Sequence, residues 1–261
     1  MATPNYQQLF PVNSPADSIS AAPAPAPKRE IVALDLSAIE AITFDAGGTL
    51  VYAHPPVGEV YAAAAKKRGY EADPVAVHQR FLLAFKAGVE NPRPRIDIDA
   101  EHRFWRDLVE KSLNLNLPQE VMDAIFAELW DGFASAAQWK LFDDAWLTVT
   151  TLRERGYRVF LLSNADSRFR RTFSELGFDP YFEQLFISAE IGHEKPAPQI
   201  FEHVQSAIGI EPGHILHIGD SAFHDGGAKA CGWHVLILKQ DIHCLSDLLN
   251  LLLGPTARAT K

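Results

Sequence analysis

The sequence predicts an α/β protein: a doubly wound parallel sheet with an inserted α-helical block. Three observations carry that expectation. Short apolar runs alternate with helical patterns from Asp143 onward, which implies parallel strands joined by helical crossovers. One further run, "AITFDAG", stands apart near residue 41, and only helical patterns fill residues 57 to 134 between it and the others. Several runs end on polar residues, namely Asp45, Ser163 with Asn164, and Asp220, at the carboxyl ends of strands where open parallel sheets bind ligands.

In chain order, residues 1 to 30 come first as a tail. Six of the chain's 17 prolines lie between Pro4 and Pro27, and "SISAAPAPAPKRE" alternates Ala and Pro. Proline removes backbone donors and disfavours helix and sheet, so the tail is expected to be extended or disordered. It has no apolar stretch after a basic start, which argues against a secretory signal, and it is too poor in arginine for a good organelle-targeting segment. "AITFDAG" is a short buried strand. "VGEVYAAAAKKRG" is a helix closed by Gly69. "DPVAVHQRFLLAFKAG" is a helix capped by Asp73, with Pro74 in its first turn and an end at Gly88. "DAEHRFWRDLVEKSL" starts at Asp99 and puts Phe104, Leu108 and Val109 on one face. "PQEVMDAIFAELWDGF" does the same with Val121, Ile125 and Leu129. Trp105 and Trp130 read as helix-packing residues. "YAHPP" (52–56) and "ASAAQWKLF" (134–142) are two linkers, a natural hinge for the inserted block.

Four helix–strand alternations follow. "DDAWLTVTTLRERG" precedes "YRVFLLSN", "RRTFSELG" precedes "QLFISA", "PQIFEHVQSAIG" precedes "HILHIGD", and a helix around "GGAKACG" precedes "HVLIL". "SDLLNLLL" closes the pattern. The expected division is a tail (1–30), an α/β core (31–54 and 140–261) and a helical cap (55–139).

Bulk properties exclude some functions. The net charge is −9, which disfavours nucleic acid and anionic membranes as partners. No apolar run approaches the ~18 residues of a membrane span. Cys231 and Cys244 are the only cysteines and form neither a disulfide framework nor a metal-binding pair, so a reducing, cytoplasmic setting is expected.

The polar strand ends come with specific motifs: "FDAGGTL", "LLSNAD", "EKPAPQIF" and "HIGDSAFHDGGAKACGW". In this order they resemble the haloacid dehalogenase-like (HAD) hydrolase superfamily over about residues 40 to 240. They are similar to its nucleophile motif D-x-D-x-T-L, its Ser/Thr motif, its K-P-x-P-x-I-F motif and its G-D-S-x-x-x-D acidic motif. The cap position resembles the branch with a compact helical cap. The Trp139-to-Ala145 stretch resembles the haloacid dehalogenase-like hydrolase domain-containing group within it.

The resemblance implies a Rossmann-like core and an Mg²⁺-dependent phosphatase of a small phosphorylated metabolite. Asp45 would be the nucleophile. Mg²⁺ would sit between Asp45, the Gly47 carbonyl and Asp220, with Asp225 orienting its water. Ser163 and the amides of residues 46 to 48, Gly48 included, would bind phosphate. Lys195 would neutralise charge on Asp45 and phosphate. Asn164 would fix phosphate or substrate, and Thr49 would hold the turn. His193, His217 and His224 read as packing or rim residues, and Arg93 and Arg95 as a loop that could meet an anionic substrate.

One position departs from the pattern. Gly47 stands where the family's phosphatases carry an acid–base Asp, a contribution of about 10² to 10⁴ in rate. Two other readings therefore stay open: a catalytically weak phospho-ligand-binding or regulatory protein, and a 2-haloacid dehalogenase. The "IGDS" of the last motif argues against the second. The sequence leaves oligomeric state undetermined.

Overall fold

The β-branched and aromatic residues of "AITF" form strand β1 (Ala41–Phe44), buried on both faces. A central strand of a parallel sheet is covered by helices above and below, so its apolar run is continuous instead of alternating. The computed structural model describes residues 36–90 and 98–254. The Pro/Ala tail (1–30), Arg93 and Arg95 lie outside those residues.

Beyond β1, strand β2 (Val51–Ala53) leads into helices α1 (Val57–Lys66), α2 (Pro74–Glu90), α3 (Ile98–Leu113) and α4 (Gln119–Phe133). Strand β3 (Trp139–Leu141) and helix α5 (Ala145–Glu154) bring the chain back to the sheet. There follow β4 (Arg158–Ser163), α6 (Phe169–Glu175), β5 (Gln184–Ile187), α7 (Ser188–Ile191) and α8 (Pro198–Ile208). The last elements are β6 (Ile215–Gly219), β7 (His234–Ile237) and α9 (Leu245–Leu253). The sheet order is β5-β4-β1-β6-β7, and every pair is parallel.

Local chemistry explains most boundaries. The Asp73 carboxylate accepts the Val75 N–H at 3.1 Å at the start of α2. A proline begins α8, and Gly209 in the left-handed region (φ 68°) ends it. Phe160, Leu162, Phe186, Phe201 and Trp233 form an apolar core against the sheet. Full burial of one such side chain is worth about 1.5 to 3 kcal/mol. Tyr61, Val77, Val109, Leu113, Ile125 and Leu129 form a second cluster, among helices α1 to α4.

The structure differs from the sequence reading in four places. The two linkers pair with each other: β2 and β3 form an antiparallel ribbon, Val51 opposite Leu141. Three residues per strand are too few for a periodic signal, and the partners lie far apart in sequence. Helix α2 runs past Gly88 to Glu90, because glycine weakens a helix without ending it. The turn around "GGAKACG" is a 3₁₀ helix, Asp225–Cys231. The short α7 follows β5 directly and ends on Gly192 (φ 83°). Among the described residues, no helix is long and apolar enough to cross a membrane.

Candidate active site

Parallel register brings the motifs together. Phe44 lies level with Leu161 on β4 and Ile218 on β6, so Asp45, Ser163 and Asp220 leave three adjacent strands at the same edge. The Asp45 N–H is pinned to the Ile218 carbonyl at 2.8 Å. Ser163 is buried at the end of β4.

Lys195 enters this edge from the turn between α7 and α8 and is 3% exposed. Its ammonium donates to Asp45 Oδ1 at 2.8 Å, Asp225 Oδ1 at 2.6 Å and the Leu162 carbonyl at 3.0 Å. An ammonium has three hydrogens, and all three are used here. Neutralisation of Asp45 is thus visible, while no hydrogen is left over for a phosphate in this arrangement. Burial works against the charge, but Asp225 and Asp45 hold the lysine protonated well above its ordinary range.

Asn164 has a different position from the one expected. Its Nδ2 donates to the Lys195 carbonyl at 2.8 Å, and its Oδ1 accepts the Lys195 N–H at 2.7 Å. The amide is turned onto the lysine backbone and holds Lys195 in place instead of facing a substrate. Gly48 also differs from expectation: its N–H donates to the Val51 carbonyl at 2.9 Å. Among the described residues, the Ala46 and Gly47 amides have no such partner.

The glycines are explained by space. A Cβ on Gly48 would fall 2.3 Å from Asp220 Oδ2, and its φ is +80°. A Cβ on Gly219 would fall 2.1 Å from the Asp225 carboxyl carbon. Each gap admits a carboxylate. Gly47 is unlike them, because a Cβ there would meet nothing within 4 Å. The Thr49 hydroxyl, read as a turn-holder, is buried without a hydrogen-bond partner; the turn is held by the Thr49 N–H, which donates to Ala46 O at 3.2 Å.

Asp45, Asp220 and Asp225 each offer an oxygen within 4.8 Å of the others. Three carboxylates face one ammonium, and the imbalance shows in their proton affinities. Burial, then Asp45 and Asp225, push the Asp220 carboxyl up to about 7. Burial also raises Asp45 against the pull of Lys195. Asp225 is buried as well, yet Lys195 and then His217 hold its carboxyl far below the usual range. An all-oxygen set with surplus negative charge fits a hard divalent cation such as Mg²⁺.

Two residues here escaped the sequence reading as functional candidates. His217, on β6 and fully buried, bonds Asp225 Oδ1 through Nε2 at 2.9 Å and Thr43 Oγ1 through Nδ1 at 2.8 Å. The available signal was a histidine inside an otherwise apolar strand, level with a threonine. Arg168, at the start of α6, was also missed. It forks onto Asp166 at 2.8 and 2.6 Å, donates to the Trp130 carbonyl at 3.0 Å, and lies 3.5 Å over the Trp130 ring and 5.5 Å over Trp105. The tryptophans read as helix-packing residues thus pack a cation from the core. Beside them, the Ser167 hydroxyl donates to Glu101 of α3 at 3.3 Å. His224 takes part in a local bond with Ser221 Oγ at 3.0 Å.

With this geometry in place, comparisons with known proteins add four facts. The family model described as haloacid dehalogenase-like hydrolase matches residues 39–232. "Haloacid dehalogenase-like hydrolase domain-containing protein 3" of Bos taurus is 31% identical over 206 residues, covering 76% of this chain and 80% of that protein. N-acylneuraminate-9-phosphatase of Mus musculus is 24% identical over 77% of this chain and 84% of its own length. Among solved structures, the putative HAD-hydrolase YfnB from Bacillus subtilis, bound to magnesium, superposes with a TM-score of 0.64. It is 17% identical over 82% of this chain and 98% of its own.

Proposed function

The chain belongs to the haloacid dehalogenase-like hydrolase family, and we propose that it is an Mg²⁺-dependent phosphatase of a small phosphorylated metabolite. The observation that carries this reading is the charge imbalance at the rim: three clustered carboxylates against one saturated lysine. A phosphatase among the relatives and a magnesium-bound structural neighbour support it.

Asp45, Asp220 and the Gly47 carbonyl would hold Mg²⁺, with Asp225 beside them. When bound, the ion would offset the repulsion between the Asp45 carboxylate and an incoming phosphate dianion. Lys195 favours the ionised form of Asp45 against its burial and orients it through Oδ1. The other Asp45 oxygen attacks phosphorus, the bond from phosphorus to the leaving oxygen breaks, and that oxygen departs with the electron pair. Attack by water at phosphorus then frees Asp45 and releases phosphate. The Ala46 and Gly47 amides and Ser163 would bind the phosphoryl oxygens. Gly47 offers no proton to the leaving oxygen, so turnover is expected to favour leaving groups that need none. Gly47 also favours a second reading, a protein that binds a phosphorylated ligand and barely hydrolyses it. Nucleic acid and membrane surfaces remain unsuited as partners by charge.

The test is a screen of acyl, aryl and alkyl phosphates with and without Mg²⁺. Phosphate release that depends on Mg²⁺ and disappears in Asp45→Asn supports the enzyme. Tight binding of phosphorylated ligands without release would favour the second reading.

A further inference from the structure

We infer that Thr43 and His217 are positioning residues for Asp225, setting which of its oxygens faces the cation site. The inference deepens, and rests on, the reading of Asp45, Asp220 and Asp225 as a cation site.

Thr43 and His217 are level neighbours on β1 and β6, and both are fully buried. An imidazole in an apolar sheet is costly unless both nitrogens are bonded. Both are, and the bond to Asp225 fixes one hydrogen. The Asp225 carboxylate can only accept, so Nε2 carries a hydrogen and donates at 2.9 Å. Nδ1 is bonded to the Thr43 hydroxyl at 2.8 Å, which holds the ring in that orientation.

The consequence falls on Asp225. Its Oδ1 receives both Lys195 at 2.6 Å and His217 at 2.9 Å, so both lone pairs are occupied. Among the described residues, its Oδ2 receives only the Ser221 N–H at 2.9 Å and keeps one lone pair. Gly219 provides the space in which this carboxylate lies. By occupying Oδ1, His217, held by Thr43, leaves Oδ2 as the Asp225 oxygen with a lone pair to offer a cation, although among the described residues neither hydrogen-bonds Asp45 or Asp220. Such outer partners are typically worth about 10- to 100-fold in metal affinity.

Two measurements on the full chain test this. Long-range ¹H–¹⁵N spectra of labelled histidines should show a hydrogen on Nε2 of His217; the signal is assigned by its loss in His217→Gln. A ring with no hydrogen on Nε2 would overturn the inference whether or not Mg²⁺ binds. Calorimetry with Mg²⁺ alone then compares His217→Phe, which keeps the ring volume, with His217→Gln, whose Nε2–H can still reach Asp225. Affinity should drop about 10- to 100-fold in His217→Phe, fall several-fold in Thr43→Val, and be largely recovered in His217→Gln. Equal affinity in wild type and His217→Phe, or equal losses in Phe and Gln, would reduce His217 to packing and overturn the inference. If His217→Phe does not fold, the comparison of His217→Gln with Thr43→Val stands: losses no smaller in Gln than in Val would overturn it. A wild type that binds no Mg²⁺ at all would sink the cation reading alone, and the nitrogen spectrum would still decide the positioning.

Discussion

At the rim of the sheet, Lys195 gives its three hydrogens to two carboxylates and a carbonyl, and a third carboxylate, Asp220, stands beside them. At the seam between the helical layer and the core, Arg168 meets one carboxylate, one carbonyl and two tryptophan faces. The rim buries its cation among three carboxylates, whereas the seam's guanidinium is only part-buried and forms a balanced pair with Asp166, the buried Glu101 nearby staying outside that pair. A balanced site is finished when the chain folds. An unbalanced one is completed by something that binds. The rim should therefore respond to ligand and metal, and the seam to neither; burial and Asp166 raise the Glu101 carboxyl, so the seam keeps a pH response of its own.

The largest expected effect breaks the rim's chemistry without breaking its fold. Asp45→Asn removes the proposed nucleophile while Asp225 still holds Lys195, so phosphate release should fall to background. Circular dichroism should show an intact fold with a midpoint within a few degrees of wild type. Near-normal turnover by a folded variant would remove Asp45 from its role.

Next in size is the effect of leaving group. Gly47 cannot donate a proton, so acyl and aryl phosphates should react well above alkyl phosphates. Because a Cβ at Gly47 meets nothing within 4 Å, Gly47→Asp fits the backbone there. It should raise alkyl phosphate turnover by up to about 10² to 10⁴, the usual worth of general acid help. Equal wild-type rates on alkyl and acyl phosphates, with chemistry rate-limiting, would mean that another group supplies the proton.

The seam should lose stability and little else. Arg168→Ala leaves the part-buried Asp166 carboxylate without its partner, a cost of about 1.5 to 3 kcal/mol, the usual worth of a hydrogen bond to a charged group. Arg168→Lys keeps the charge but loses the planar fork, and should recover less than half of that. Urea unfolding followed by tryptophan emission measures both, since Trp105 and Trp130 flank the guanidinium. A midpoint unchanged in Arg168→Ala would show the seam to be a surface contact of no energetic weight.

The two regions also differ in how far sequence reasoning reaches. The rim's motif residues were legible because chemistry dictates residue type at a strand end, and parallel register then does the assembly. Asp45 and Lys195 are far apart in sequence and 2.8 Å apart in space. What stayed illegible was the division of labour among polar groups. An asparagine directly after a strand's polar end can face a ligand or a backbone, and only the packed turn decides that Asn164 holds Lys195. His217 looked like a packing residue because its partner Thr43 reads as an ordinary β-branched strand residue. The seam was hidden for a different reason. Arg168 sits in a stretch with no motif of its own, and the tryptophans that enclose it come from two helices whose mutual placement no periodicity encodes.

The smallest expected effect sharpens the contrast by pH alone. Burial and the neighbouring carboxylates raise Asp220 to about 7 in the folded protein, above the ordinary 3.8. A raised carboxyl binds its proton more tightly when folded, so its contribution to stability is present below about pH 4 and is lost as pH rises toward 7. Asp45, raised as well, acts in the same direction. Asp225, held low, acts oppositely, and its stabilisation is lost only as pH falls below the ordinary carboxylate range. In a chelator, the melting midpoint should therefore decline between pH 5 and pH 8 through Asp220 and Asp45. Asp220→Asn keeps the shape without the charge and should flatten that decline, though not abolish it, because Asp45 remains. The expected difference is a few degrees, since about 1 kcal/mol moves the midpoint of a chain this size by roughly 2 to 4 °C. Arg168→Lys should leave the pH dependence parallel to wild type, whatever it does to the midpoint itself. Parallel curves for wild type and Asp220→Asn would mean that the rim carries no surplus charge, and the case for a cation there would lose its physical basis.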